Sequence, residues 1–308
     1  MTNALPIIDL SPKDRDSLAE EIGAACRQVG FFYVVNHGID ATLTREVFAQ
    51  AKRFFALPLE QKQAIAIEKI GGNRGYSALM HEALDPARGP DMKEAFNVGF
   101  DLKPDDPELL AGKPFRALNA WPDLLRFRET LLAYFDACAA LGARIHRAFA
   151  ADLGLDPDFF ADKFDRPMAT LRLLHYPANP AEEKIGAGAH TDYGNLTLLA
   201  TDDVGGLQVR LRCGLWIEPP PIPGAFVVNI GDCLMRWTND VYVSTPHRVV
   251  NESGRERYSV AFFFDPNPDA LVAVIPSCVA AGETPSYAPV LAADYLRWRL
   301  DASKPPKL

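Results

Sequence analysis

The chain has 308 residues, a formal net charge of −8, and 48 % hydrophobic and 10 % aromatic residues. That composition supplies a sizeable buried core and excludes a disordered chain. The acidic balance argues against a general nucleic-acid or anionic-membrane binder, which would need a field of Lys and Arg. Cys26, Cys138, Cys213, Cys233 and Cys278 are odd in number and scattered, with no Cys-x-x-Cys; they suit neither a disulfide framework nor a thiolate zinc site, and they fit a reducing cytosol.

The N-terminal MTNALPIIDL lacks the basic start and long apolar stretch of a signal peptide. No apolar run approaches the roughly 18 residues of a membrane span, so a cytoplasmic protein is expected. PIIDL (6–10) reads as a short strand. Residues 14–29 form an amphipathic helix with Leu18, Ile22, Ala25 and Val29 on one face, ended by Gly30. FFYVV (31–35) is a buried strand, and NHGI turns into a helix over 40–56 that stops at Leu57-Pro58. Residues 70–121 read as a long irregular stretch, rich in Gly and Pro, of the length that usually marks either a functional lid or a disordered segment.

Over 123–153, Leu124, Phe127, Leu131, Phe135, Cys138, Leu141, Ile145 and Phe149 recur at three- and four-residue steps. They predict a long helix buried along one side and closed by Gly154. Asp156-Pro157 starts one more short helix. From 169 to 275 the runs TLRLLHY, LTLLA, LQVRL, FVVNI, HRVVN, YSVAFFF and LVAVI are punctuated as in an all-β sandwich or barrel. A final helix covers 289–301. The expected architecture is one α+β unit over 1–308: an N-terminal helical and lid region (6–120), a β core (166–275) and the C-terminal helix.

Six histidines occur in the chain, and only His190 is followed two residues later by a carboxylate, Asp192. About 0.8 such His-x-acid matches are expected by chance, so the pair needs company. His247, in STPHRVV, can supply it if its strand folds back beside them. Two neutral imidazoles and one carboxylate make a facial triad that leaves three iron positions open. At a strand end, His190 and Asp192 point to one face because the side-chain period is two. Ten residues beyond His247, Arg257 and Ser259 also share a face. The planar guanidinium suits a buried carboxylate, and the hydroxyl can add a bond. The alternatives are a surface His247 and a surface Arg257 paired with Glu256 or Glu252.

The chain resembles the isopenicillin-N-synthase-like branch of the iron(II)/2-oxoglutarate-dependent dioxygenases. The matching text is PIIDL, GFFYVVNHGI, HTDYGNLTLLATDDVGGLQV, FVVNIGDCLMRWTND, VYVSTPHRVV and RYSVAFFF, in the family's order, from about residue 6 to 266. The resemblance implies a double-stranded β-helix (jelly roll) core flanked by N-terminal helices and one long buried helix. It makes His190, Asp192 and His247 the Fe(II) ligands. Arg257 and Ser259 become the pair holding the distal carboxylate of 2-oxoglutarate, with Tyr176 beside it. The implied activity is oxidation, foremost hydroxylation, of a small molecule's C–H bond by O2, with release of succinate and CO2. One departure is Leu174-His175-Tyr176-Pro177 where plant members carry Asn-Tyr-Tyr-Pro. An iron oxidase of the same branch that does without 2-oxoglutarate keeps the Arg/Ser pair. A non-catalytic jelly-roll binding protein is the reading from another class.

In TLRLLHYP, Arg172, Leu174 and Tyr176 alternate and face one side of a strand. Leu174 becomes an apolar wall. Arg172 either meets a substrate carboxylate or carbonyl, or pairs with an acid of the 82–94 loop such as Glu82 or Glu94. His37 is expected to be structural, His81 to line a lid at most, and His146 and His175 to be packing or surface residues.

Overall fold

The computed structural model describes residues 4–11, 14–85, 89–178 and 185–302. In chain order it begins with β1 (Ile7–Asp9), α1 (Arg15–Gln28), β2 (Phe31–Val35), α2 (Ala41–Phe55), α3 (Leu59–Ala64), α4 (Ile67–Ile70), β3 (Gly75–Ser77) and β4 (Glu94–Gly99). Then come α5 (Pro107–Leu110), α6 (Phe127–Asp152), β5 (Thr170–Tyr176), β6 (Ile185–His190), β7 (Leu196–Thr201), β8 (Leu207–Arg210), β9 (Trp216–Ile217) and β10 (Phe226–Ile230). The chain closes with α7 (Asp232–Trp237), β11 (His247–Val250), β12 (Arg257–Phe264), β13 (Leu271–Val272), β14 (Val290–Leu291) and α8 (Ala292–Ala302).

The strands build an eight-stranded sheet, ordered β1-β2-β10-β7-β12-β5-β4-β3, and a four-stranded sheet, β6-β11-β8-β9. Together they form the jelly roll. Period-two alternation sorts each strand of the large sheet between two environments. On β12, Tyr258, Val260, Phe262 and Phe264 join the main apolar cluster, while Ala261 and Phe263 pack in the interior cluster with Leu174, Tyr176, Ala187 and Val249. The outer face is covered by α6, whose Phe127, Leu131, Phe135, Cys138, Leu141, Ile145 and Phe149 are all buried as their spacing predicts. Gly154 follows in the left-handed region, and Leu155 N–H closes the helix end on Ala150 O. Asp14 and Asp40 cap α1 and α2 by accepting from Ser17 N–H and Thr42 N–H. Gly30 must be glycine: its φ is +68°, and a Cβ there would lie 1.9 Å from Val243 O.

Several expectations are corrected. The 70–121 stretch is not irregular throughout. It contains β3 and β4, and β4 pairs along its whole length with β5. Glu94 and Asn97 break its apolar text, yet both are buried and bonded to other polar groups. Asp156-Pro157 leads to turns and a single 3-10 turn at Ala161–Lys163 rather than a helix, because Phe160 and Phe164 are drawn inward against the His146 ring. LVAVI shrinks to the two residues of β13. Strand β6 (IGAGAH) was foreseen only as the strand end that carries His190, and helix α7 was not foreseen. In β6 the small residues are dictated by crowding: a Cβ on Gly186 would meet the Tyr176 ring at 2.6 Å, and one on Gly188 would meet Asp85 at 2.7 Å.

Candidate metal and cosubstrate site

Antiparallel pairing of β6 with β11 sets His190 directly opposite His247, with ring centroids 4.3 Å apart. Asp192 lies two residues past the end of β6. Its Oδ1 is 3.7 Å from His190 Nε2 and 3.6 Å from His247 Nε2. One ligand atom from each of the three fits within 4.8 Å of the others, close enough to share one ion. His247 and Asp192 are buried, and His190 is half-buried at the mouth.

The surroundings leave the ligand atoms free and hold the others. His190 Nδ1 bonds Gly188 O at 2.7 Å and His247 Nδ1 bonds Thr245 O at 3.1 Å, so both Nε2 atoms face Asp192. Asp192 Oδ2 accepts from Thr197 Oγ1 at 2.6 Å and from Asn229 Nδ2 at 2.7 Å, leaving Oδ1 for a metal. Thr197 and Asn229 are cross-strand partners on β7 and β10, so the large sheet orients a carboxylate presented by the small one. Burial, then the neighbouring His247, pushes the pKa of His190 down and keeps its imidazole neutral, as a ligand must be. Burial opposes the charge on Asp192, but the attraction of a positive charge on His247 or His190 and the bonds from Asn229 and Thr197 outweigh it and hold the carboxyl below its usual range. Two neutral nitrogens and one carboxylate oxygen suit Fe(II) with open positions.

Beside the triad, Arg257 is fully buried. Its Nε donates to Gly205 O at 2.6 Å, its Nη1 to Ser259 Oγ at 3.3 Å, and its guanidinium lies 4.8 Å over the Tyr176 ring. Its Nη2 is buried with no partner among the described residues. A desolvated cation aimed with one donor unspent is costly unless an anion completes it, so the residues fit a carboxylate-bearing cosubstrate. Ser259 and Tyr176 come together with Arg257 because Arg257 pairs with Tyr176, and Ser259 with Leu174, across β12 and β5. The surface alternatives for His247 and Arg257 are excluded by their burial.

Arg172 and Leu174 share the interior side of β5 with Tyr176. Leu174 is buried in the apolar wall. Arg172 Nη2 bonds both oxygens of Glu82, at 2.6 and 2.7 Å, which is the loop-acid alternative. From there Glu82 meets Lys93 Nζ at 3.3 Å, Lys93 pairs with Asp91, and Asp91 Oδ1 accepts Gly188 N–H at 2.9 Å. This chain of charges laces β5 to the free edge of β6 next to His190. The other histidines lie elsewhere: His146 bonds Gly142 O and Asn195 within the core, His175 bonds Glu94, His37 bonds Gly224 O, and His81 pairs with Glu68 at the surface.

Thr197, Asn229 and the Asp91–Lys93 pair escaped the sequence reading. Only Asn229 left a trace, as a lone amide inside the apolar run FVVNI. Among the described residues, no helix is long and apolar enough to cross a membrane.

Residues 5–124 match the family model for the N-terminal region of non-haem dioxygenases in morphine synthesis, and residues 167–266 match that of the 2OG-Fe(II) oxygenase superfamily. The chain is 40 % identical to a 2-oxoglutarate-Fe(II) type oxidoreductase, hxnY, of Emericella nidulans, covering 96 % of this chain and 88 % of the relative. A 2OG-Fe(II) oxygenase family protein from Caulobacter crescentus superposes with a TM-score of 0.89 at 35 % identity, over 98 % of this chain and 100 % of that one. A Neurospora crassa protein in complex with alpha-KG (2-oxoglutarate) and thymine gives 0.84 at 35 % identity, over 97 % of both chains. The chain belongs to the 2OG-Fe(II) oxygenase superfamily and is an iron(II)- and 2-oxoglutarate-dependent dioxygenase.

Proposed function

We propose that His190, Asp192 and His247 hold the iron, that Arg257, Ser259 and Tyr176 seat the distal carboxylate of 2-oxoglutarate, and that a small-molecule substrate lies against Leu174 within reach of Arg172. When bound, the iron supplies the redox chemistry that couples O2 to the oxidation of 2-oxoglutarate, giving succinate and CO2, and of a substrate C–H bond. The protein's own work is positional. Thr197 and Asn229 fix which Asp192 oxygen faces the metal, and the Nδ1 bonds fix both imidazoles. Arg257 Nη2 orients the cosubstrate, and the apolar interior around Leu174, Ala187, Val249 and Ala261 excludes water.

The substrate class we infer is a small molecule bearing a carboxylate or carbonyl. Both Arg172 bonds to Glu82 leave from Nη2, and among the described residues no bond occupies Nε or Nη1, which supports their facing a ligand. The Neurospora relative, whose complex holds thymine, binds a small ring that carries carbonyl groups. The five free cysteines, four of them buried, support residence in a reducing cytosol.

The observation that carries the cosubstrate assignment is the unpartnered, buried Nη2 of Arg257. In Arg257→Lys a point ammonium replaces the planar fork. The loss of a charged hydrogen bond costs about 1.5–3 kcal/mol, so the KM for 2-oxoglutarate is expected to rise roughly ten- to a hundredfold with Fe(II) affinity unchanged. Succinate released alongside oxidised substrate is the companion measurement. Turnover without succinate would instead favour the oxidase that omits 2-oxoglutarate.

A further inference from the structure

We infer that Arg299, on the C-terminal helix α8, is a positioning residue for the turn that carries the iron carboxylate. The inference rests on the assignment of His190, Asp192 and His247 as iron ligands. Asp192 sits in no strand, so its position depends on what grips residues 191–195. The backbone is gripped from below by the start of α7: Gly231 N–H donates to Asn195 O, Asp232 N–H to Asp192 O, and Cys233 N–H to Gly194 O, at 2.8–2.9 Å. The approach is too close for a side chain at 231, where a Cβ would stand 2.2 Å from Gly194 O.

The side chains of the turn are gripped through Arg299. Asp232 is buried and its Oδ2 accepts from Thr191 Oγ1 at 2.9 Å. The same oxygen pairs with Arg299 Nη1, the cation that meets Asp232 among the described residues. The Arg299 guanidinium also lies over the Tyr193 ring, 4.4 Å from its centroid. Arg299 thus holds Thr191 through Asp232 on one side of Asp192, and Tyr193 directly on the other. Removing it leaves Asp232 a buried carboxylate without its counter-charge and frees both neighbours of the metal ligand. Partners bonded to the ligands themselves typically change a metal's affinity ten- to a hundredfold, and Arg299 acts one step further out, so an effect at the low end of that range is expected. A planar guanidinium is needed because one face must stack on Tyr193 while an edge pairs with Asp232.

The test is anaerobic Fe(II) titration of the full chain as wild type, Arg299→Ala, Arg299→Lys, Thr191→Val and His190→Ala, with metal-free melting curves of each. Arg299→Ala is expected to weaken Fe(II) binding about tenfold, and Arg299→Lys to recover part of that loss. Thr191→Val, which deletes only the hydroxyl, should weaken it about threefold with little change in metal-free melting. If Arg299→Ala does not fold, Thr191→Val and Arg299→Lys decide. Should the folded Arg299 and Thr191 variants bind Fe(II) like wild type while His190→Ala does not bind, the positioning role is overturned and the ligand assignment stands. Normal Fe(II) binding by His190→Ala would overturn the assignment beneath it.

Discussion

Arg172 serves the fold, and in the function we propose it also faces the substrate. Its Nη2 anchors Glu82, and through Lys93 and Asp91 it reaches the Gly188 N–H beside His190. Attraction to Arg172 and Lys93 outweighs burial and holds the Glu82 carboxyl well below its usual range, so the loop side of the pair stays charged. Two variants separate the roles. Glu82→Gln removes the charge that Arg172 and Lys93 both meet but keeps the Arg172 donors, whereas Arg172→Leu also removes the donors proposed to face a substrate anion or carbonyl. Arg172→Leu is expected to keep normal Fe(II) and 2-oxoglutarate affinity but to release succinate without matching substrate oxidation, while Glu82→Gln stays coupled. Equal behaviour of the two would make Arg172 a loop anchor only. Coupled product and succinate assays on both variants decide.

At the scale of elements, β4 ties the N-terminal helices to the jelly roll through Glu94. One oxygen accepts from Lys62 of α3 and from Tyr76 of β3, the other meets His175 of β5. Burial disfavours its charge, but these bonds prevail and pull its pKa down from 4.5 to about 2. A carboxyl depressed on folding adds stability that is present above pH 4.5 and is lost as the pH falls toward 2. Glu94→Gln is therefore expected to be less stable than wild type at pH 7, by about 2 kcal/mol, with the gap closing between pH 4.5 and 2. Denaturant unfolding at several pH values measures it; a gap that widens on acidification would contradict the account. The same residue shows why β4 was illegible: a strand buried on both faces and carrying a carboxylate and an amide has no period-two pattern to read. Strand β6 was hidden for the opposite reason, since IGAGAH has too little side chain to show a face. Helix α6 was legible because its apolar residues keep to one face, and strands β5, β7, β10 and β12 because each is a β-rich apolar run bounded by turn residues.

Across the whole molecule, the site is a joint between two sheets. His190 and His247 belong to the small sheet. Thr197, Asn229, Arg257 and Tyr176 belong to the large one, and Asp192 spans the two. The ligand types and the Arg257–Ser259 pair could be read from residue order and the family resemblance. The bonds that aim them could not, because Thr197 and Asn229 stand 5 and 37 residues from Asp192 and meet it only once the sheets face each other. The central claim is that one Fe(II) and one 2-oxoglutarate bind together at this joint. The most direct measurement is the visible absorption of the protein under nitrogen as Fe(II) and then 2-oxoglutarate are added. Wild type is expected to develop a charge-transfer band only when both are present, His190→Ala to show none, and Arg257→Lys to need much more 2-oxoglutarate to reach it. A wild-type protein that develops no band, or a His190→Ala protein that keeps it in full, would contradict the account.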